Sequence, residues 1–221
     1  MAVLPQSLRS LTPNGLRDDV RVRAVALGIG LIPPRCMHSG EDSAVLERAV
    51  RGARRVVEIG VYEGASAVEL CALLDGEAEL HLIDPFGSRP DALPGGWAGS
   101  EWATRRAVTR ALRSRGAGAP RVEWHIGFSQ DVVSEFEGPL DVVFIDGDHS
   151  EEGCERDWLQ WSPLVGIGGA VVLHDARLDR PGGRGLPGPT AVVDRYLRGA
   201  IPAPFEIVEE ADRTVAARRV A

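Results

Sequence analysis

The run Val56-Val57-Glu58-Ile59-Gly60-Val61-Tyr62-Glu63-Gly64-Ala65-Ser66 constrains this chain more than any other stretch. A β-branched segment ends in an acid, glycines follow at 60 and 64, and a helix-forming series runs from Ala65 to Leu74. Strand, glycine turn and helix in that order open a ligand site at the carboxyl edge of a parallel sheet. The spacing is acid-x-Gly-x-x-x-Gly. It differs from the Gly-x-Gly-x-x-Gly that seats a dinucleotide pyrophosphate on a helix N-terminus.

Glu58 brings a carboxylate to the strand end, which repels phosphate and suits a cationic amino group. A ligand with an ammonium and a sulfonium centre fits this turn better than a dinucleotide does, and that points to S-adenosylmethionine. One βα unit later, Glu79-Leu80-His81-Leu82-Ile83-Asp84 reads as a second strand closed by Asp84 and the breaker Pro85. An acid about 20 residues beyond a glycine turn can accept both hydroxyls of a ribose. Asp84 supports a nucleoside without choosing between cofactors; Glu58 and the glycine spacing make the choice.

The composition narrows the partners. The 221 residues carry a formal net charge of −7 with no basic stripe, which disfavours nucleic acid as substrate. No apolar run approaches the ~20 residues needed to cross a bilayer, and no membrane contact is expected. The first ten residues lack the pattern of a signal peptide, so the cytoplasm is the expected compartment. Cys36, Cys71 and Cys154 are isolated, giving neither a metal-binding pair nor a disulfide framework. Lysine is absent and all 25 basic residues are arginine. Schiff-base chemistry and a lysine general base are excluded.

No repeat or linker divides the chain, and a single domain over 1–221 is expected. Residues 1–41 read as a helical lid or dimer arm, and 42–221 as the catalytic core, in a chain expected to form a homo-oligomer. Helical spacing covers 16–27 and 42–51. Strands are expected at 55–60, 79–84, 121–126, 140–146 and 168–174, with helices at 65–75, 101–115, 129–136, 151–161 and 190–198. That alternation means a parallel sheet with helices on both faces. Strands near 205–210 and 213–219 have only a short turn between them, so they close the sheet as an antiparallel hairpin. Two Gly- and Pro-rich stretches, 86–100 with Trp97 and Trp102 near its end and 178–189, follow strand ends and belong on the ligand side.

Strand four delivers Asp146-Gly147-Asp148-His149 at its carboxyl end, and strand five delivers His174-Asp175 at the same edge. If the strands are neighbours, Asp146, His174 and Asp175 converge into a plausible divalent-cation site. Each acid alone has a simpler reading: Asp148 caps the next helix, and Asp175 ends its strand in a turn. His149 titrates near neutrality and sits three residues past a proposed ligand. It is a general base, a fourth ligand, or a partner holding Asp146. Ser129 reads as a helix N-cap. Alternatively, its hydroxyl and the Gln130 amide meet an adenine ring against the Phe128 side chain.

Together these pieces resemble the catechol O-methyltransferase-like branch of class I methyltransferases, and more closely its antibiotic-tailoring relatives of macrocin and cephamycin type. The likeness runs from about Met37 to Asp175 and rests on Glu58-x-Gly60-x-Tyr62-x-Gly64-x-Ser66, on Gly127-x-Ser129-Gln130-Asp131, and on Asp146 with the strand-five pair. It implies a Rossmann-like, seven-stranded, mostly parallel sheet of order 3-2-1-4-5-7-6. It also implies that Gly60, Tyr62 and Ser66 contact the methionine portion of S-adenosylmethionine while Glu58 orders its amino group. By the same likeness Asp84 holds the ribose, Ser129 and Gln130 the adenine, and Asp146 with Asp175 a divalent cation, usually magnesium, with manganese as another candidate. The chain departs from the catechol enzymes at two positions: His174 stands where they place an aspartate, and His149 where they place a lysine base.

The expected function is O-methylation of a small-molecule hydroxyl, on a sugar, a cyclitol or a phenol. The rivals are a metal-independent N- or O-methyltransferase and a non-catalytic cofactor-binding scaffold. His38 is the reserve candidate for the base.

Overall fold

The computed structural model describes residues 19–87, 99–199 and 204–221. Seven strands form one sheet: β1 (Arg55–Ile59), β2 (Glu79–Ile83), β3 (Arg121–His125), β4 (Leu140–Ile145), β5 (Val165–Leu173), β6 (Phe205–Ala211) and β7 (Thr214–Arg219). Their order is β3-β2-β1-β4-β5-β7-β6, as expected. The first five run parallel, and β7 lies antiparallel to both β5 and β6.

Register places the strand ends in step. Ile59 of β1 pairs with Ile83 of β2 and Ile145 of β4, and Ile145 pairs with Leu173 of β5. The residues that follow, Gly60, Asp84, Asp146 and His174, therefore emerge along one edge. Their amides continue the ladder: Gly60 donates to the Ile83 carbonyl at 2.9 Å, Asp146 to Ile59 at 2.9 Å and His174 to Ile145 at 3.1 Å.

Alternation along the strands divides the core into two layers. Val57, Ile59, Val143, Ile145 and Leu173 face Trp158 and Trp161 on one side, while Val56, Leu80, Leu82, Val142 and Phe144 face Leu70 and Leu74 on the other. Each fully buried side chain of this size contributes roughly 1.5–3 kcal/mol.

The helices are α1 (Val20–Gly28), α2 (Gly40–Val50), α3 (Ala65–Leu73), α4 (Glu101–Arg115), α5 (Ser129–Val132), α6 (Glu151–Trp161) and α7 (Pro187–Val193). Asp19 caps α1, and the Arg106 and Arg110 guanidinium groups bond its last carbonyls at Leu27 and Gly28. Ser39 and Asp42 form a reciprocal capping box on α2.

Three elements differ most from expectation. The helix expected over 129–136 is a single α turn followed by a 3₁₀ turn at Val133–Glu135. The helix expected over 190–198 starts earlier, at Pro187, because proline at a first helical position forfeits no hydrogen bond; it ends in a π turn at Asp194–Arg198. Strand β5 begins at Val165, earlier than 168. Of the first Gly- and Pro-rich stretch, residues 88–98, including Trp97, lie outside the described residues, as do 16–18 of the first expected helix. Among the described residues, no helix is long and apolar enough to cross a membrane.

Candidate active site

The turn after β1 is shaped by what surrounds it. Gly60 has φ +89°, and a Cβ there would collide with the Asp146 carbonyl. Gly64 has φ +84° at the start of α3, with Thr104 Cγ2 where a side chain would go. Both glycines are required by conformation and by space. Tyr62, between them, is also left-handed at φ 53°. Its carbonyl accepts the Thr104 hydroxyl at 2.8 Å.

Asp84 closes the turn from below. Its Oδ2 accepts the Val61 and Tyr62 amides, each at 2.8 Å, and its Oδ1 accepts the Phe86 amide at 2.7 Å. Burial pushes Asp84 above its ordinary value, against the pull of these three N–H groups. The expected ribose acid is thus also the brace of the glycine turn, a role the spacing alone did not show.

Glu58 is fully buried. The Ser66 hydroxyl donates to its Oε1, while Oε2 has no hydrogen-bond partner. Burial drives Glu58 well above the usual carboxylate range, against the Ser66 bond, and Asp146, Asp84 and Glu69 push the same way. A buried carboxyl among acids, with an unfilled acceptor, is matched to an ammonium group. The structure therefore fits the cofactor that the turn implies.

Asp146 sits at the end of β4, with 17% of its side chain exposed. Its Oδ1 lies 3.0 Å from His174 Nδ1 and 3.2 Å from His149 Nε2, and its Oδ2 lies 3.2 Å from His38 Nε2. Burial works to raise its pKa, but the His174 charge and the bonds from all three imidazoles hold it well below the ordinary value. For His149 and His174 the balance runs the other way. Burial lowers both, yet Asp146 raises each of them overall. Asp175 Oδ2 is 3.6 Å from His149 Nε2 and 3.7 Å from His174 Nδ1, so all three expected cation ligands and the expected base share one site. Ligand atoms of Asp146, His149, His174 and Asp175 lie within 4.8 Å of one another. Asp175 is left-handed at φ 52°, consistent with a strand ending in a turn. Asp148 does not cap α6 itself: it accepts the Ser150 amide at 2.9 Å, and Ser150 is the cap.

The adenine candidates follow β3. Ser129 is the first helical residue of α5 and not its cap, because Phe128 holds the extended cap conformation. The Ser129 hydroxyl instead donates to buried Asp157 of α6, whose pKa burial raises to about 6. Gln130 lies beside it, partly exposed.

The reserve base candidate, His38, packs tilted against His174, with ring centroids 4.4 Å apart, and completes the imidazole set around Asp146. Several other contributors were not singled out from sequence. Asp42 accepts the Ser39 hydroxyl at 2.8 Å, the Arg213 amide at 2.9 Å and the Thr214 hydroxyl at 2.8 Å, tying α2 to β7 beneath His174. Arg213 Nη1 reaches Asp175 Oδ1 at 3.1 Å. Arg23 of α1 makes a two-pronged bond with Glu63, at 2.5 and 2.6 Å, fastening the N-terminal helix to the cofactor turn. The signal that could have flagged Asp42 is the capping box; the long-range contacts carry none.

This site belongs to a methyltransferase. The profile of a methyltransferase domain family matches residues 57–176, and the chain belongs to that family. A protein of Mycolicibacterium smegmatis, named as a candidate O-methyltransferase, is 27% identical over 184 residues, covering 83% of this chain and 76% of its own. The O-methyltransferase TomG of Streptomyces achromogenes, involved in tomaymycin synthesis and solved with S-adenosylmethionine, superposes with a TM-score of 0.59 at 19% identity, over 98% of this chain and 95% of that one. An O-methyltransferase of Bacillus cereus, solved with S-adenosylhomocysteine, gives 0.61 at 16% identity, over 97% and 96%. The class expected from sequence, an S-adenosylmethionine-dependent O-methyltransferase, stands.

Proposed function

We propose that this enzyme methylates a hydroxyl of a small-molecule secondary metabolite, a sugar or cyclitol hydroxyl or a phenol, with assistance from a divalent cation. The observation that carries the proposal is the convergence of Asp146, His149, His174 and Asp175 at the strand edge that also presents Glu58 and the glycine turn. The involvement of TomG in tomaymycin synthesis supports the choice of acceptor class.

S-adenosylmethionine supplies an electrophilic methyl group on a sulfonium. Glu58 takes its ammonium, Gly60, Tyr62, Gly64 and Ser66 shape the turn around the methionine portion, and Asp84 accepts the ribose hydroxyls with its remaining lone pairs. Phe128, Ser129 and Gln130 bound the adenine. Asp146, His174 and Asp175 would hold the cation, which would lower the pKa of the acceptor hydroxyl. Two carboxylates and one imidazole admit magnesium or manganese; the imidazole favours the softer ion. His149 accepts the hydroxyl proton, and Asp146 and Asp175, 3.2 and 3.6 Å from its Nε2, stabilise the imidazolium that results. The remaining rate gain comes from alignment.

A second reading omits the metal, because three imidazoles already engage both Asp146 oxygens. Methyl transfer to a hydroxylated acceptor, assayed with and without excess chelator, separates the two. Loss on chelation with rescue by magnesium or manganese supports the cation; full activity in chelator removes it.

A further inference from the structure

A second histidine pair lies apart from the active site, on the edge of the sheet. His81 of β2 and His125 of β3 point to the same face, with His81 Nδ1 3.2 Å from His125 Nε2. Glu123 Oε2, also from β3, lies 3.9 Å from His81 Nδ1. One ligand atom from each of these three residues fits within a 4.8 Å sphere of separations. None of them has a part in the methyl-transfer site described above.

We propose that His81, Glu123 and His125 bind zinc or a similar first-row divalent cation, which pins edge strand β3 to β2. Imidazole nitrogens bound to one tetrahedral zinc at about 2.0–2.1 Å stand roughly 3.3–3.4 Å apart. The observed 3.2 Å is close to that separation, so the two rings need little movement. Glu123 must close by a few tenths of an ångström, which a partly exposed carboxylate can do.

The outer shell has the pattern that ligating histidines show. Each ring turns its other nitrogen toward a carboxylate: His81 Nε2 lies 3.8 Å from Glu79 Oε2, and His125 Nδ1 lies 3.6 Å from Glu135 Oε2. Closed to hydrogen-bond distance, such pairs would fix the tautomer that points each inner nitrogen's lone pair at a metal. His81 Nε2 is buried with no hydrogen-bond partner at present, so drawing Glu79 closer would also satisfy it. Phe136 packs against both rings with centroids 5.0 Å away, holding them in place before any ion arrives.

The test uses the full chain carrying Asp146→Asn and Asp175→Asn, which removes both carboxylates of the active-site cluster. Zinc is titrated against a chromophoric chelator, and melting temperature is followed in parallel. We expect one zinc per chain with Kd about 1 μM or tighter. At 100-fold excess over Kd it should raise the melting temperature by about 5 °C or more. Adding His125→Ala should weaken zinc by at least ~100-fold, and the milder Glu123→Gln by about 10-fold. The Glu123 side chain is a third exposed, so its variant guards against a folding failure. The site does not exist if the parent double variant binds no zinc up to about 100 μM, or if both further substitutions leave its affinity unchanged.

Discussion

Glu58 and Asp146 end neighbouring strands of the same sheet, both carboxylates and both largely enclosed, yet their surroundings push them in opposite directions. Burial, aided by three other acids, raises the pKa of Glu58 against the bond from one hydroxyl. Asp146 meets three imidazoles, and its pKa falls. The first resists ionisation in the free protein and keeps one oxygen without a partner. The second is already compensated by the protein's own side chains, so its charge persists between turnovers. Under the proposed function, the first would receive the cofactor's ammonium and the second would keep a fixed charge beside the reacting hydroxyl.

If that contrast holds, replacing the two acids should produce different failures. Asp146→Asn should lower methyl transfer the most, by ~10³ or more, because it removes the proposed cation ligand and the imidazole anchor together. S-adenosylhomocysteine affinity, measured by calorimetry, should change little. His149→Ala should cost about 10²–10⁴ in turnover, the usual worth of general-base assistance, again with cofactor affinity nearly intact. Turnover close to wild type would move the base elsewhere, and His38→Ala would be the next variant to assay.

Glu58→Gln should act on binding, weakening the cofactor by roughly 10- to 100-fold through loss of a buried charge-assisted hydrogen bond. The free protein should become more stable. A carboxyl whose pKa is raised on folding contributes stability at low pH that is lost as pH climbs toward the folded value; glutamine escapes that loss. Greater thermal stability with poorer binding would separate this residue from a merely structural one. Thermal unfolding at neutral pH reads the first effect.

The smallest effect concerns Asp157, which offers a test of burial alone. Its pKa of about 6, against 3.8 for a free side chain, means that ionising it in the fold costs on the order of 2–3 kcal/mol. That penalty develops as pH rises from about 4 to 6 and is complete above. Asp157→Asn keeps an acceptor for Ser129 and should raise the melting temperature by several degrees at pH 8, with no gain near pH 4. An equal shift at both pH values would mean that charge is not the cause.

These contrasts also mark what the sequence could reveal. The strands announce themselves through runs such as Val142-Val143-Phe144-Ile145, and the glycine spacing locates the turn after β1, because both depend on local backbone preference. The meeting of Asp146 with His149, His174 and Asp175 followed once β4 and β5 were taken as neighbours. The place of the third imidazole did not follow, although His38 was the reserve base. His38 reaches Asp146 across 108 residues of sequence, through the entry to α2, and no periodicity reports such a contact. Asp42 likewise meets Thr214 across 172 residues. Ser129 misled for a local reason: a serine beside a helix start reads as a cap, but here Asp157 competes for its hydroxyl.

The central claim is that Glu58 receives the cofactor's amino group. It is tested most directly by calorimetric binding of S-adenosylhomocysteine and of its deaminated analogue to wild type and to Glu58→Gln. The account predicts that removing the amino group weakens wild-type binding by about 10-fold or more while making little difference to the variant, a coupling of at least roughly 1.4 kcal/mol. An equal loss in both proteins would show that the ammonium is held elsewhere and contradict the account.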